Sequence, residues 1–466
     1  MRKLPVLLVT AVLCLAQQRT HSGIDRSMFD PTCKPCDDFW RYATGTWVDQ
    51  HPIPSDRPRW GKFDELSETN LERLKTILDS AAADPKATGD RRKVGDYYAS
   101  CMDTGSIETA GAKPIEPLLG RIAAIQNRQD LVAMLVSMEL QDRLAPTRVT
   151  NVSDPDNADQ VIAGIAVGGL SLPDRDYYFR DDAKSKTIRD EFAIHAQNLL
   201  RLLGDSQESA TAAAKTVTEF ETALANATLT NVARRDPYNR IHKMSFAQLE
   251  ALAPAYDWKG AFRLLNVVTI GPVNVSEPEF LKTFNRQLER APIETWKTWL
   301  RWRVVNDRAQ FLSKTFYYEW FHFERTVLSG VAQQQVRWKV CVSSTDLTLG
   351  EALGRLYVEK HFPPEAQRRM SQLVANLRTA LGEELRSADW LAAETRQNAL
   401  RKLATFDPRI GFPVKWRDYS GVDVSRGSYL ADKESAIVAE RKYNASKIGQ
   451  KLDRTEWTMT PPTVNA

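Results

Sequence analysis

The residues from which a metal or acid–base site would most readily be built are six histidines: His21, His51, His195, His242, His322 and His361. No two of them lie four apart, so the chain has no H-E-x-x-H helix, which places two imidazoles on one face beside a glutamate. Glu319-x-x-His322 has the spacing of a carboxylate-bridged metal helix, but such sites need a second copy, and Glu191 to His195 misses it by one residue. The plainer reading of His322 is a partly buried ring among aromatic neighbours. Gly164, Gly168 and Gly169 fit neither nucleotide-loop pattern, and no G-x-S-x-G elbow occurs. With the histidines so dispersed, no nucleophile triad can be assembled. Cys33-x-x-Cys36 has zinc or redox spacing, yet no second ligand pair is spaced to complete a metal site. Arg301 and Arg303 interleave with Trp296, Trp299 and Trp302 in a way that could stack bases. A net charge of only +4 and the three- and four-residue spacing favour a helix packed in a helical core, with no nucleic-acid partner.

Elements that could position such residues are mainly helical. At 466 residues, 42% hydrophobic and 26% charged, the chain suggests two or three domains, or one large helical body with a second lobe. Arg2 and Lys3, the apolar stretch Leu4 to Leu15 and the small residue Ala16 read as a secretory signal, with 17–34 as an exported linker. The apolar run is too short for a stable membrane span. Export puts Cys33, Cys36, Cys101 and Cys341 in an oxidising compartment, where structural disulfides are the expected use, although four thiols allow three pairings. Asp37 or Asp38 caps a short helix carrying Phe39, Tyr42 and Ala43 and ending near Gly45. Leu66 to Leu78 mark a longer one, and further helical stretches run over Leu118–Leu140, Ile188–Leu203, Ala210–Leu224 and Glu434–Leu452. Thr147–Val152 and Val161–Val167 are rich in β-branched residues and suggest a hairpin or sheet edge. Met370, Leu373, Val374, Leu377, Leu381 and Leu385 form the clearest amphipathic stripe, entered through Pro363-Pro364. At the end, Pro461-Pro462 sets an extended approach and Thr463-Val464 opens a β-type run, so the chain is expected to be the front part of something longer.

Several stretches together resemble the neprilysin and endothelin-converting-enzyme family of zinc metallopeptidases. They are Pro35-Cys-Asp-Asp-Phe-Trp-Arg-Tyr-Ala with Gly45-Thr-Trp47, Arg59-Trp-Gly-Lys-Phe63, Leu172-Pro-Asp-Arg-Asp-Tyr-Tyr178, Gly354-Arg-Leu-Tyr-Val358, and Trp457 through Val464-Asn465-Ala466. The resemblance implies a mainly α fold: a large multi-helix lobe with minor β structure over 76–430. Residues 35–75 and 431–466 would belong with the beginning of a second, catalytic lobe. It implies a peptidase that acts on short peptides with zinc as cofactor, whose ligands and catalytic glutamate have no counterparts in this chain. The 466 residues alone are therefore expected to be inactive; a stand-alone peptide-binding module is the alternative. On the substrate side, the resemblance matches Asn465 and Ala466 to the pair that holds a peptide backbone along an edge strand. It matches Arg59 to an arginine that meets the substrate carboxylate, a task suited to a guanidinium. It also pairs Cys101 with Cys341 and sends Cys36 to a partner beyond this chain, leaving Cys36 to pair with Cys33 or stay free. Thr44 stands where relatives often have a cysteine, and Ser67 where neprilysin has a second substrate arginine.

Overall fold

The computed structural model describes residues 24–141 and 144–465. The signal-like stretch 1–16, Cys14, His21 and Ala466 lie outside the described residues. Two compact units follow one another, the first ending at Trp60 and the second beginning at Gly61.

In the first unit, Asp38 caps α1 (Phe39–Gln50) by accepting from the backbone N–H of Arg41 at 2.8 Å. The helix does not stop at Gly45 as its composition suggested. Gly45 is buried within it, because the missing side chain makes room for Asp30 and for the Arg41 stem. Arg41 then bridges Asp30 at 2.8 Å and Asp49 through a two-pronged contact; both acids lie below the usual carboxylate range, Asp30 chiefly through hydrogen bonds from Thr32 and Asp49 chiefly through those from Arg41. Cys33 and Cys36 are unbridged, the second of the two outcomes left open for Cys36, and the Cys33 thiol faces the backbone carbonyl of Asp38 at 3.5 Å.

The second unit is built on two apolar cores. In the smaller, α2 (Lys62–Ala83), α3 (Gly89–Met102) and a long helix, Arg337–His361, meet through Leu74, Ile77, Leu78, Tyr97 and Leu353. Gly95 of α3 lies directly against the backbone of Ala81, so the two helices approach as closely as their main chains allow. A disulfide between Cys101 and Cys341, 240 residues apart in sequence, ties α3 to the long helix in the middle of this core. Residues 75 and 76 both lie inside α2, which runs unbroken across them.

The larger core holds the aromatic segment. Trp296, Trp299 and Trp302 are all fully buried on the helix Ile293–Arg308, as the spacing predicted. Arg301 reaches out from it to a bidentate pair with Asp205 at 2.6 and 2.9 Å. The β-branched segments form β1 (Thr147–Asp154) and β2 (Asn157–Val167), an antiparallel pair. With β3 (Lys243–Met244) and β4 (Val273–Val275) they make a sheet in the order β1-β2-β4-β3 among the described residues, β2 and β4 running parallel. The stretch 118–140 is two helices, Glu116–Ala123 and Arg128–Ser137, because the Asn127 side chain caps a new start by accepting from Asp130 N–H.

A buried ion pair anchors the helix Tyr429–Ser446 to this core. Arg441 donates from Nε to the Glu139 main-chain oxygen at 2.7 Å, and from Nη2 to Glu139 Oε2 at 3.0 Å and the Val149 carbonyl at 2.9 Å. Glu139 also accepts from Val149 N–H and the Tyr256 hydroxyl. Burial pushes the Glu139 carboxyl above its ordinary range, and the Arg441 guanidinium pulls it part of the way back.

The amphipathic stripe of the helix Pro364–Ser387 is not covered by any described segment: Met370, Leu373, Leu377 and Leu381 are all between 44% and 60% exposed. Spacing shows that a face is apolar; it does not supply the surface that would bury it. No helix among the described residues is long and apolar enough to cross a membrane.

Candidate functional site

The segment leading to Asn465 is placed by what precedes it. After the helix Tyr429–Ser446 the chain turns at Gly449, whose φ of 82° is the left-handed region that glycine tolerates, and runs beside β2. Val161 N–H donates to the Gln450 carbonyl at 2.9 Å, Gly449 N–H to the Val161 carbonyl at 2.8 Å, and Leu452 N–H to the Asp159 carbonyl at 2.9 Å. Farther on, Glu456 is held by the Tyr443 hydroxyl at 3.0 Å and by the Lys447 ammonium. The chain then reaches the long helix Arg337–His361, where Thr460, Pro461 and Pro462 settle.

That helix is kinked. Leu349 has φ −125° and ψ 39°, outside the helical range, and two residues on the Glu351 N–H donates to the Tyr419 hydroxyl at 3.1 Å. A side chain entering the hydrogen-bond ladder next to a glycine is a recognised cause of such a bend. Gly350 and Gly354 follow the kink, and Thr460 and Pro461 pack on them. Asn70 of α2 donates from Nδ2 to the Pro462 carbonyl at 2.9 Å. A turn then closes, Thr463 N–H to the Thr460 carbonyl at 3.0 Å, with the two threonine hydroxyls 2.8 Å apart.

Thr463-Val464-Asn465 is not a strand, although its composition suggested the start of one. A strand exists through ladder bonds to a neighbour, and no described segment runs alongside these residues. Asn465 is exposed, its Nδ2 3.4 Å from the Met459 sulfur. Arg59, in the first unit, is exposed too. Ser67 turns back onto its own helix, its hydroxyl donating to the Phe63 carbonyl at 2.8 Å.

Asp346 lies beneath this segment. Its Oδ1 is buried with no hydrogen-bond partner among the described residues, and Oδ2 accepts only a long contact, 3.4 Å, from the Thr460 hydroxyl. Burial pushes the carboxyl up to about 6, against the small lowering effect of Thr460. A carboxyl raised in the folded state is disfavoured as the anion. Its contribution to stability is therefore full below the unfolded value near 4 and is lost as pH climbs through 6, by up to roughly 3 kcal/mol. Asp346→Asn should be more stable than the parent at pH 7.5 and about equal at pH 4, as read from urea unfolding midpoints. Equal midpoints at both pH values would mean that the carboxylate is solvated.

Other sequence candidates lead elsewhere. Glu319 and His322 do not converge: Glu319 accepts from buried His195 at 2.8 Å and from Asn198 at 3.0 Å, while His322 opens a π-helical turn, His322–Val327. The wider turn shifts the register, and the His322 side chain is 56% exposed, which corrects its reading as a partly buried ring. His195 is the histidine set among aromatics, stacked on Phe323 at 4.7 Å and edge-on to Trp302. Among the described residues no three His, Cys, Asp or Glu side chains come together to hold a metal ion. No cluster among the described residues fits a zinc site.

Residues 35–413 match the amino-terminal domain of Peptidase family M13. The chain belongs to Peptidase family M13. Mouse endothelin-converting enzyme 1 is 30% identical over 98% of this M13 chain, which spans 62% of that enzyme. Neprilysin-3 of Drosophila melanogaster is 28% identical, over 94% of the chain and 59% of its own length. The chain thus spans less than two thirds of these curated relatives. Among solved structures, the Mycobacterium tuberculosis zinc metalloprotease Zmp1 in complex with an inhibitor superimposes with a TM-score of 0.88 at 30% identity. That alignment takes in 95% of this chain and 67% of Zmp1. The resemblance to the neprilysin and endothelin-converting-enzyme family holds, as does the mainly helical fold it implied.

Asn70, Asp346 and Gly350 were missed in the sequence, and Gly354 and Tyr357, though part of a family-like stretch, carried no role there. One signal was present: two glycines four apart in a helix interior, each less favourable than alanine by about 1 kcal/mol, imply that something packs on them.

Proposed function

We propose that this chain is the amino-terminal portion of an exported, neprilysin-like zinc metalloendopeptidase that hydrolyses short peptides. In this reading 76–430 is the non-catalytic helical lobe, and 35–75 and 431–466 belong with the catalytic lobe. The observation that carries it is the match of 35–413 to a peptidase family, together with the superposition on a zinc metalloprotease across 95% of the chain. Asn465 and Ala466 would line an extended peptide, the Asn465 amide offering a donor and an acceptor to its backbone. Arg59 would take the substrate's terminal carboxylate.

The 466 residues by themselves should cleave nothing. Incubated with zinc and a library of quenched fluorescent peptides, the purified chain is expected to give no hydrolysis; cleavage that a chelator abolishes would overturn this. The role of Arg59 is tested in the protein extended to the length of its relatives. There, Arg59→Ala should raise KM about 10-fold or more for peptides with a free carboxylate, the worth of a hydrogen bond to a charged group, and leave amidated ones nearly unchanged. Equal loss for both would remove the assignment.

A further inference from the structure

Gly354-Arg-Leu-Tyr-Val358, one of the family-like stretches, lies on the long helix Arg337–His361. On the long helix, the space left by the absent side chains of Gly350 and Gly354 is filled by the chain's own approach to Asn465. A Cβ at position 354 would stand 2.6 Å from Pro461 Cδ, and one at 350 would overlap the Thr460 methyl group. One turn further, Tyr357 and Asn70 close over Pro462. The Pro462 carbonyl can only accept, so the Asn70 NH2 must face it, at 2.9 Å. Asn70 Oδ1 then faces Tyr357, whose hydroxyl donates to it at 2.9 Å while receiving a longer contact, 3.4 Å, from Arg73. Each hydrogen bond fixes the direction of the next.

We propose that Gly350, Gly354, Tyr357 and Asn70 form a seat that locks Thr460–Pro462 and thereby sets where Asn465 is presented, making them positioning residues for peptide capture. The turn from Thr460 to Thr463 carries the constraint onward. Only Val464 separates Thr463 from Asn465, a reach of about 7 Å at most over two Cα steps, so a displaced seat displaces the Asn465 amide. Pro461 and Pro462 reduce what the seat must immobilise, since their φ angles are already fixed. The part concerning peptide capture rests on the reading of Asn465 given above; the seat itself does not.

Hydrogen exchange on the 466-residue chain tests the seat without reference to catalysis. In Tyr357→Phe and in Asn70→Ala the Thr463 amide should exchange about 10-fold faster, the loss of roughly one hydrogen bond, while the amides of α3 keep their parental rates. Gly354→Ala should do the same even though alanine normally strengthens a helix interior, and Arg355→Ala, beside it on the exposed side, should not. Unchanged exchange at Thr463 in all three seat variants would overturn the proposal. In the protein extended to the length of its relatives, Tyr357→Phe should raise KM several-fold with kcat held within about 2-fold, the mark of lost ground-state binding. Loosened exchange with an unaltered KM would leave the seat standing and remove Asn465 from peptide capture.

Discussion

Arg441→Met should destabilise the protein by about 3–5 kcal/mol at neutral pH, because it leaves the fully buried Glu139 carboxylate without its cation. Three acceptors lose a donor at once: Glu139 Oε2, the Glu139 main-chain oxygen and the Val149 carbonyl. The pH dependence should carry a sign. Burial already raises the Glu139 carboxyl, and removing Arg441 takes away the largest influence opposing that rise. The neutral acid is then the form the fold tolerates, so the deficit should shrink toward pH 5 and grow toward pH 8. Urea unfolding across that range reads it out. Replacing both partners, Glu139→Leu with Arg441→Met, should recover much of the loss, since two apolar side chains have no desolvation cost to offset. A double variant as weak as the single one would place the cost in packing and not in charge.

The paired replacement Cys101→Ala with Cys341→Ala should have an effect of similar size. Closing a loop of 240 residues removes, in the chain-entropy description, about 5 kcal/mol from the denatured ensemble, and observed values generally fall at 2–4. The bond also pins α3 to the long helix within the smaller core, where both cysteines are fully buried. Arg337 keeps one link in its absence, donating from Nε and Nη2 to the Cys101 carbonyl at 2.9 and 2.7 Å. Denaturant midpoints with and without reductant give the measurement: the parent should fall to the variant's value on reduction, and the variant should not respond. A parent indifferent to reductant under unfolding conditions would mean that the bridge contributes nothing.

Local periodicity carried much of the fold. The buried face of the Trp296 helix, the β1–β2 pair and the Asp38 cap follow from side-chain spacing and cap chemistry that a short window contains. Boundaries failed where a distant segment decided the outcome. Gly45 looked like a helix end, but Asp30 packs on it and makes glycine the residue an interior position needs. The helix expected over Glu434–Leu452 starts at Tyr429 and ends at Ser446, because Ser428 caps it and the chain is then drawn alongside β2. The seat beneath Asn465 was the least legible feature. It joins position 70 to 462 and position 350 to 460, contacts that no periodicity encodes. Residue identities matched to the family named Asn465, whereas the glycine pair 350 and 354 signals only that something packs there, and its partners appear in three dimensions.

The Cys101–Cys341 bridge also gives the molecule a history. At the ordinary pace of translation, ~5–20 residues per second, Cys101 emerges roughly 10–50 s before its partner. Throughout that interval the nearest thiols on the nascent chain are Cys33 and Cys36, which are unbridged among the described residues. The correct bond is therefore one that the growing chain must wait for, with two nearer competitors already present. Most of the larger core lies between the two cysteines and is synthesised before the bond that closes around it.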